Sequence, residues 1–172
     1  IGPKRLVLIA FYRAYLSAAD LGPVEALSKA LRKRGYTPLG LFAPSLKDPQ
    51  AAGWLARQVK ALNPVAVVNA TAFSGKGKDG TSPLDAAGVP VFQIALATSA
   101  RKAWAEAERG LSPADLAMHV VLPEVDGRIF AGVASFKEAG QPDPDLQFAA
   151  QAHRAEPARI EAIADRVAGW DR

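Results

Sequence analysis

Cysteine is absent from the 172 residues. Its absence removes disulfide scaffolds, thiolate zinc sites, thiol nucleophiles and iron–sulfur ligation together. A class I glutaminase, which needs a Cys nucleophile, is excluded with them. Long apolar runs are missing too, and none approaches the ~18–20 residues of a membrane span. Histidine is scarce, at two residues, and the 21 basic and 17 acidic side chains leave a net charge of only +4. The basic residues are scattered: Arg32-Lys33-Arg34 closes one helical pattern, and Lys76 and Lys78 sit in a glycine loop. No aromatics interleave with them as a base-stacking platform requires, so nucleic acid is not an expected partner. Ile1-Gly2-Pro3-Lys4 is neither a natural start nor a signal peptide, so the expectation is an internal piece of a longer chain. Zero Cys fits a cytoplasmic location.

What is present is a hydrophobic share of 49%, too high for a disordered chain. Five short apolar runs recur: Leu6 to Tyr12, Thr37 to Ala43, Val65 to Ala70, Val89 to Leu96 and His119 to Leu122. They do not alternate polar with apolar, which is how strands covered on both faces read. Their starts lie 31, 28, 24 and 30 residues apart, the spacing of βα units. Helical patterns fill the gaps. Gly22-Pro23 opens one and Gly35 stops it; Asp48-Pro49 opens the next and Asn63-Pro64 ends it. A weaker helix is expected around Ser82 to Ala87, then one over 99–109, a short one from Ser112-Pro113, and a last one from Pro157.

The predicted fold is α/β: an open, mostly parallel five-stranded sheet with helices on both faces, flavodoxin-like or Rossmann-like. The expected organisation is an α/β domain over 4–128, a loop-rich extension over 129–156 and a C-terminal helix over 157–172. Ile129, Phe130, Val133 and Phe136 offer one extra strand or hairpin in the extension.

Ligands of such sheets bind beyond the carboxyl ends of the strands. That places Tyr12, Arg13, Asn69, Thr71 and Gln93 as candidate ligand contacts by position. Gly75-Lys76-Gly77-Lys78-Asp79-Gly80 matches the letters of a dinucleotide loop, but it follows the third strand, and Pro83 and Gly88 interrupt the helix that should follow. Thr81 stands where a phosphate loop requires Lys, so a charged surface loop is the plainer reading. No glycine cradle follows the first strand, which argues against a dinucleotide domain. A phospho-receiver domain would want Asp where the chain has Tyr12-Arg13 and Asn69-Ala70-Thr71.

The strongest local feature is Pro123-Glu124-Val125-Asp126-Gly127-Arg128. On an extended backbone just past a buried strand, Glu124 and Asp126 would point to one side. Paired carboxylates there can hold a cation or take up protons. The plainer reading is an Asp-Gly turn in which Glu124 pairs with Arg128. His119 falls on the opposite strand parity from Glu124, which favours packing or capping. His153, in the loop-rich tail, reads as solvated.

Several stretches resemble one family. They are Phe11-Tyr12-Arg13-Ala14-Tyr15, Asn69-Ala70-Thr71-Ala72-Phe73-Ser74, the run from Ser82 to Gln93, the run from Arg109 to Met118, and Val121 to Phe130 with its trailing Ser135-Phe136-Lys137. Together they look like an internal segment of the large subunit of the aerobic cobaltochelatase, with the large subunit of magnesium chelatase a more distant relative. Arg128-Ile129-Phe130 and Ser135-Phe136-Lys137 favour the cobalt branch. The resemblance implies an ATP-dependent complex that inserts Co2+, as substrate metal, into the corrin hydrogenobyrinic acid a,c-diamide in cobalamin biosynthesis. ATP and Mg2+ would be used by partner subunits, an AAA+ ATPase and its companion, and not by this chain. It also implies Glu124 and Asp126 as catalytic carboxylates, Glu124 with His119 on the metal, and Tyr12, Arg13, Asn69, Thr71, Gln93 and Arg128 on the tetrapyrrole. Arg13 can meet a ring carboxylate with two parallel hydrogen bonds. The alternatives are a magnesium chelatase segment acting on a porphyrin, a scaffold or docking domain of the same subunit, and a free-standing flavodoxin-like module. The isolated piece is expected to insert no metal.

Overall fold

A computed structural model describes residues 5–108, 110–139 and 151–171. Arg109 and the stretch 140–150, the middle of the expected loop-rich extension, lie outside the described residues.

The first four strands are β1 (Leu6–Tyr12), β2 (Thr37–Ala43), β3 (Ala66–Asn69) and β4 (Val91–Leu96). They fall on the first four apolar runs. Along β1 the side chains alternate between two apolar layers, which is why the run reads as continuously hydrophobic. Val7, Ile9 and Phe11 pack with Leu27 and Leu31 of α2 (Gly22–Lys33) and with Ile160, Ile163 and Val167 of α7 (Pro157–Trp170). Leu8 and Ala10 face Leu55 and Val59 of α3 (Pro49–Leu62) and Leu84 of a 3₁₀ turn (Pro83–Ala87). Helix ends match their local signals. Asp48 caps α3 by accepting the Ala51 N–H at 2.7 Å, and Asn63 ends it in the left-handed region at φ 44°.

The fifth expected strand is a helix. His119 to Leu122 lies inside a continuous helical path from α5 (Pro113–Leu116) through a π-helical turn (Ala117–Val121) to α6 (Leu122–Val125). Ser112 starts it by accepting the Asp115 N–H at 3.1 Å. A short apolar run fits a strand or a helix face equally well, and the cap upstream decides it. The π turn has a physical cause. Pro123 has no N–H to offer the carbonyl four residues back, so the ladder must widen before it. In the widened turn the Met118 carbonyl accepts the Phe73 N–H at 2.7 Å.

The fifth strand is instead β5 (Ile129–Ala139), in the stretch that read as loop-rich with one possible strand. A sixth, β6 (Gln151–Ala155), pairs antiparallel to it. The sheet order is β2-β1-β3-β4-β5-β6, with every pair but the last parallel. Its first five strands follow the flavodoxin-type order, in which the direction of strand addition across the sheet reverses between β1 and β3. The outer edge curls back: the His153 N–H of β6 donates to Asp20 Oδ1 at 2.8 Å, in the loop that follows the short α1 (Arg13–Ser17).

Candidate functional site

The carboxyl edge of β1, β3 and β4 carries a closed polar network. Asn69 Nδ2 donates to Gln93 Oε1 at 2.8 Å, and the Thr71 N–H and hydroxyl both donate to Asn69 Oδ1, at 3.1 and 2.7 Å. Gln93 Nε2 donates to the Thr71 and Ile94 carbonyls at 2.7 and 3.0 Å. All three residues are buried and satisfy one another. Tyr12 closes the edge: its hydroxyl donates to the Ala72 carbonyl at 2.9 Å. Burial pushes the Tyr12 phenol above its ordinary value. Arg13 begins α1 and is exposed, with no ionic partner among the described residues.

The motif over 123–128 lies at the amino end of β5, not beyond the carboxyl end of a strand, because the expected strand before it is a helix. Glu124 and Asp126 therefore diverge. Glu124 is exposed on α6, and its carboxylate takes no hydrogen bond or ion pair among the described residues. Asp126 is buried and turned inward, where Oδ1 accepts the Ser74 hydroxyl at 2.7 Å and Oδ2 the Gly75 N–H at 2.6 Å. The Asp-Gly turn is present, with Gly127 at φ 80° and its N–H on the Glu124 carbonyl at 2.8 Å. The expected Glu124–Arg128 pair is not formed. Arg128 is buried and reaches Asp85 of the 3₁₀ turn through two contacts, the longer being Nη2 to Oδ2 at 3.4 Å.

Both histidines are buried, so the solvated reading of His153 is corrected. His153 Nδ1 lies 2.6 Å from Asp20 Oδ2, and Tyr15 stands edge-on to the ring at 5.3 Å. His119 is 3% exposed, faces Asp115 at 3.7 Å, and has no hydrogen-bond partner on either ring nitrogen among the described residues. Burial pushes the His119 imidazole below its ordinary value; Asp115 opposes that shift and His153 adds to it. Among the described residues no three His, Cys, Asp or Glu side chains converge as a metal-holding group.

Asp115 escaped sequence reasoning as anything more than a first-turn acid. It is fully buried, and both oxygens accept the Thr98 N–H at 3.1 Å while Oδ1 also accepts the Thr98 hydroxyl at 2.8 Å. Burial alone would raise its carboxyl, but these bonds and His119 hold it below its ordinary value. The signal was its four-residue spacing from His119, visible only once the run is taken as helix.

A cleft of about 940 Å³ lies between the amino half of α3 and the segment from Gly77 to Ala86. Its far wall is the glycine loop that Asp126 grips at Ser74 and Gly75.

The family model described as CobN/Magnesium Chelatase matches residues 2–172. The chain belongs to that family. Its relatives include the aerobic cobaltochelatase subunit CobN of a Sinorhizobium species, 39% identical over 165 residues, which cover 94% of this chain and 13% of the relative. The CobN protein of Pseudomonas aeruginosa is 32% identical, covering 97% of this chain and 14% of that protein. The H-type magnesium-chelatase protein of Cereibacter sphaeroides is 31% identical over 143 residues, covering 76% of this chain and 12% of that protein. The catalytic subunit of cobaltochelatase from Mycobacterium tuberculosis superposes with a TM-score of 0.74 at 31% identity, over 94% of this chain and 14% of that one. This member of the CobN family thus spans about one seventh of the length of the relatives it matches. Among its described residues no helix is long and apolar enough to cross a membrane.

Proposed function

We propose that this chain is the part of a cytoplasmic, ATP-dependent cobaltochelatase large subunit that presents a carboxylate, Glu124, to the metal-insertion step. The substrates are Co2+ and a metal-free corrin, and ATP is hydrolysed on an AAA+ partner subunit and its companion. The coverage of 94% and 97% against cobaltochelatase subunits, beside 76% against the magnesium enzyme, favours cobalt.

The observation that carries the reading is the contrast within one motif. Asp126 and Arg128 are spent inward on Gly75 and Asp85, while Glu124, on α6 just before that anchored turn, is exposed and unpaired among the described residues. Insertion puts a divalent cation in place of the inner N–H hydrogen of the metal-free corrin, so the ring gives up a proton as the metal enters. A lone carboxylate suits both halves of the exchange: it holds a cation weakly enough to release it, and it accepts a proton. Affinity order does not select cobalt over copper, nickel or zinc, so selection falls to the ring, the geometry or metal supply.

The test is Glu124→Gln in the full-length subunit, assayed with its partners and ATP. Lost cobalt insertion with unchanged corrin binding supports the reading. Insertion at the wild-type rate assigns the motif a purely structural role.

A further inference from the structure

We propose that the cleft between α3 and the glycine loop is the seat of the macrocycle, with Lys47 and Lys78 holding its peripheral carboxylates. The inference rests on the chelatase reading above and adds the place and the mode of binding.

Size is the first observation. At about 940 Å³ the cleft lies at the top of the roughly 300–1,000 Å³ span of small-molecule sites, which suits a large ring and is generous for a nucleotide or a lone anion. Shape is the second. The α3 wall presents Ala52, Gly53 and Ala56, whose small side chains leave a shallow surface on which a broad ring can lie close to the helix. Leu46, which lines the cleft ahead of α3, packs closely on the glycine loop: any Cβ at Gly75 would stand 2.9 Å from Leu46 Cδ1.

Charge is the third observation. Two acids and two bases line the cleft, but they are not equivalent. Asp79 is used by Thr81, accepting its N–H at 3.0 Å and its hydroxyl at 2.8 Å, and Asp85 is used by Arg128. Lys47 and Lys78 have no ionic partner among the described residues. Asp79 keeps its charge while accepting from Thr81, so Lys47 and Lys78 together outweigh the one carboxylate not paired with a cation, and the lining is net positive, which complements a ring with an apolar body and an acidic periphery. Asp126 and Arg128 are positioning residues in this arrangement, since each fixes one end of the wall that carries Lys78.

The experiment measures binding of two probes to the full-length subunit by the visible absorption of the corrin: the metal-free corrin with free carboxylates, and its neutral methyl ester. In Lys47→Ala/Lys78→Ala the free acid is expected to bind about tenfold more weakly, with a shallower salt dependence, and the ester as in wild type. Gly53→Leu, whose side chain grows into the cleft past only the end of Arg57, is expected to weaken both probes. Wild-type affinity for both probes in both variants overturns the proposal. So does unchanged affinity with a lowered melting temperature, which would show the cleft filled by another part of the subunit. A wild-type subunit that binds neither probe removes the chelatase reading itself, and this proposal with it.

Discussion

The carboxylate of Asp126 accepts the backbone N–H of Gly75 at 2.6 Å across a separation of 51 residues. The contact ties the turn before β5 to the loop after β3, and so connects the motif that carries Glu124 with the wall of the cleft beside α3. Asp126→Ala leaves a buried N–H without a partner. A hydrogen bond to a charged group contributes about 1.5–3 kcal/mol, so the variant is expected to lose about 2–3 kcal/mol. At about 2–4 °C per kcal/mol for this size, thermal melting of the chain reads the loss directly. Asp126→Asn, which keeps an acceptor oxygen, is expected to lose less.

The Asp85–Arg128 pair is asymmetric. The Arg128 side chain is 2% exposed and that of Asp85 48%. Removing the acid strands a buried cation, whereas removing the base leaves a carboxylate that water can solvate. Asp85→Ala is expected to cost about 3 kcal/mol or more, and Arg128→Met distinctly less. Denaturant unfolding of both variants checks the order; equal losses would mean the pair acts only through packing.

The Asn69–Thr71–Gln93 network is closed, so any member removed alone leaves its partners unsatisfied. Asn69→Leu is expected to destabilise by about 3 kcal/mol despite its apolar gain, and Gln93→Leu in the Asn69→Leu background to add less than it does alone. A double-mutant cycle measures that coupling, and additive losses would refute it.

His119 sets an acid limit on stability. Its folded value lies below the ordinary 6.5, so below that pH the unfolded chain takes up a proton that the folded chain does not. Its contribution is fully present above 6.5 and is lost as pH falls from there toward the lowered folded value. Asp115 and His153 face it, and Asp115, itself lowered from 3.8, adds a separate loss only below that value. His119→Phe is expected to flatten the pH dependence of melting just below 6.5, and an unchanged slope would exclude His119 as its source.

Much of this architecture is written in short stretches of chain. The βα rhythm, the Asp48 and Ser112 caps and the continuous apolar runs of strands buried on both faces are local, because they depend on propensity and burial over a few residues. That Asn69, Thr71 and Gln93 come together was legible by position, since the ends of parallel strands share one edge. Their consumption in one another's hydrogen bonds was not, because it depends on the register between β3 and β4. His119 to Leu122 shows the other limit. Four residues, three of them apolar, satisfy a strand and a helix alike, and the choice reverses which residues share a face, sending Glu124 outward and Asp126 inward. Pairing is the matter the sequence leaves open: the charges of Asp126 and Arg128 are plain in it, but their partners, 51 and 43 residues away, are brought within reach only when the chain between them has packed.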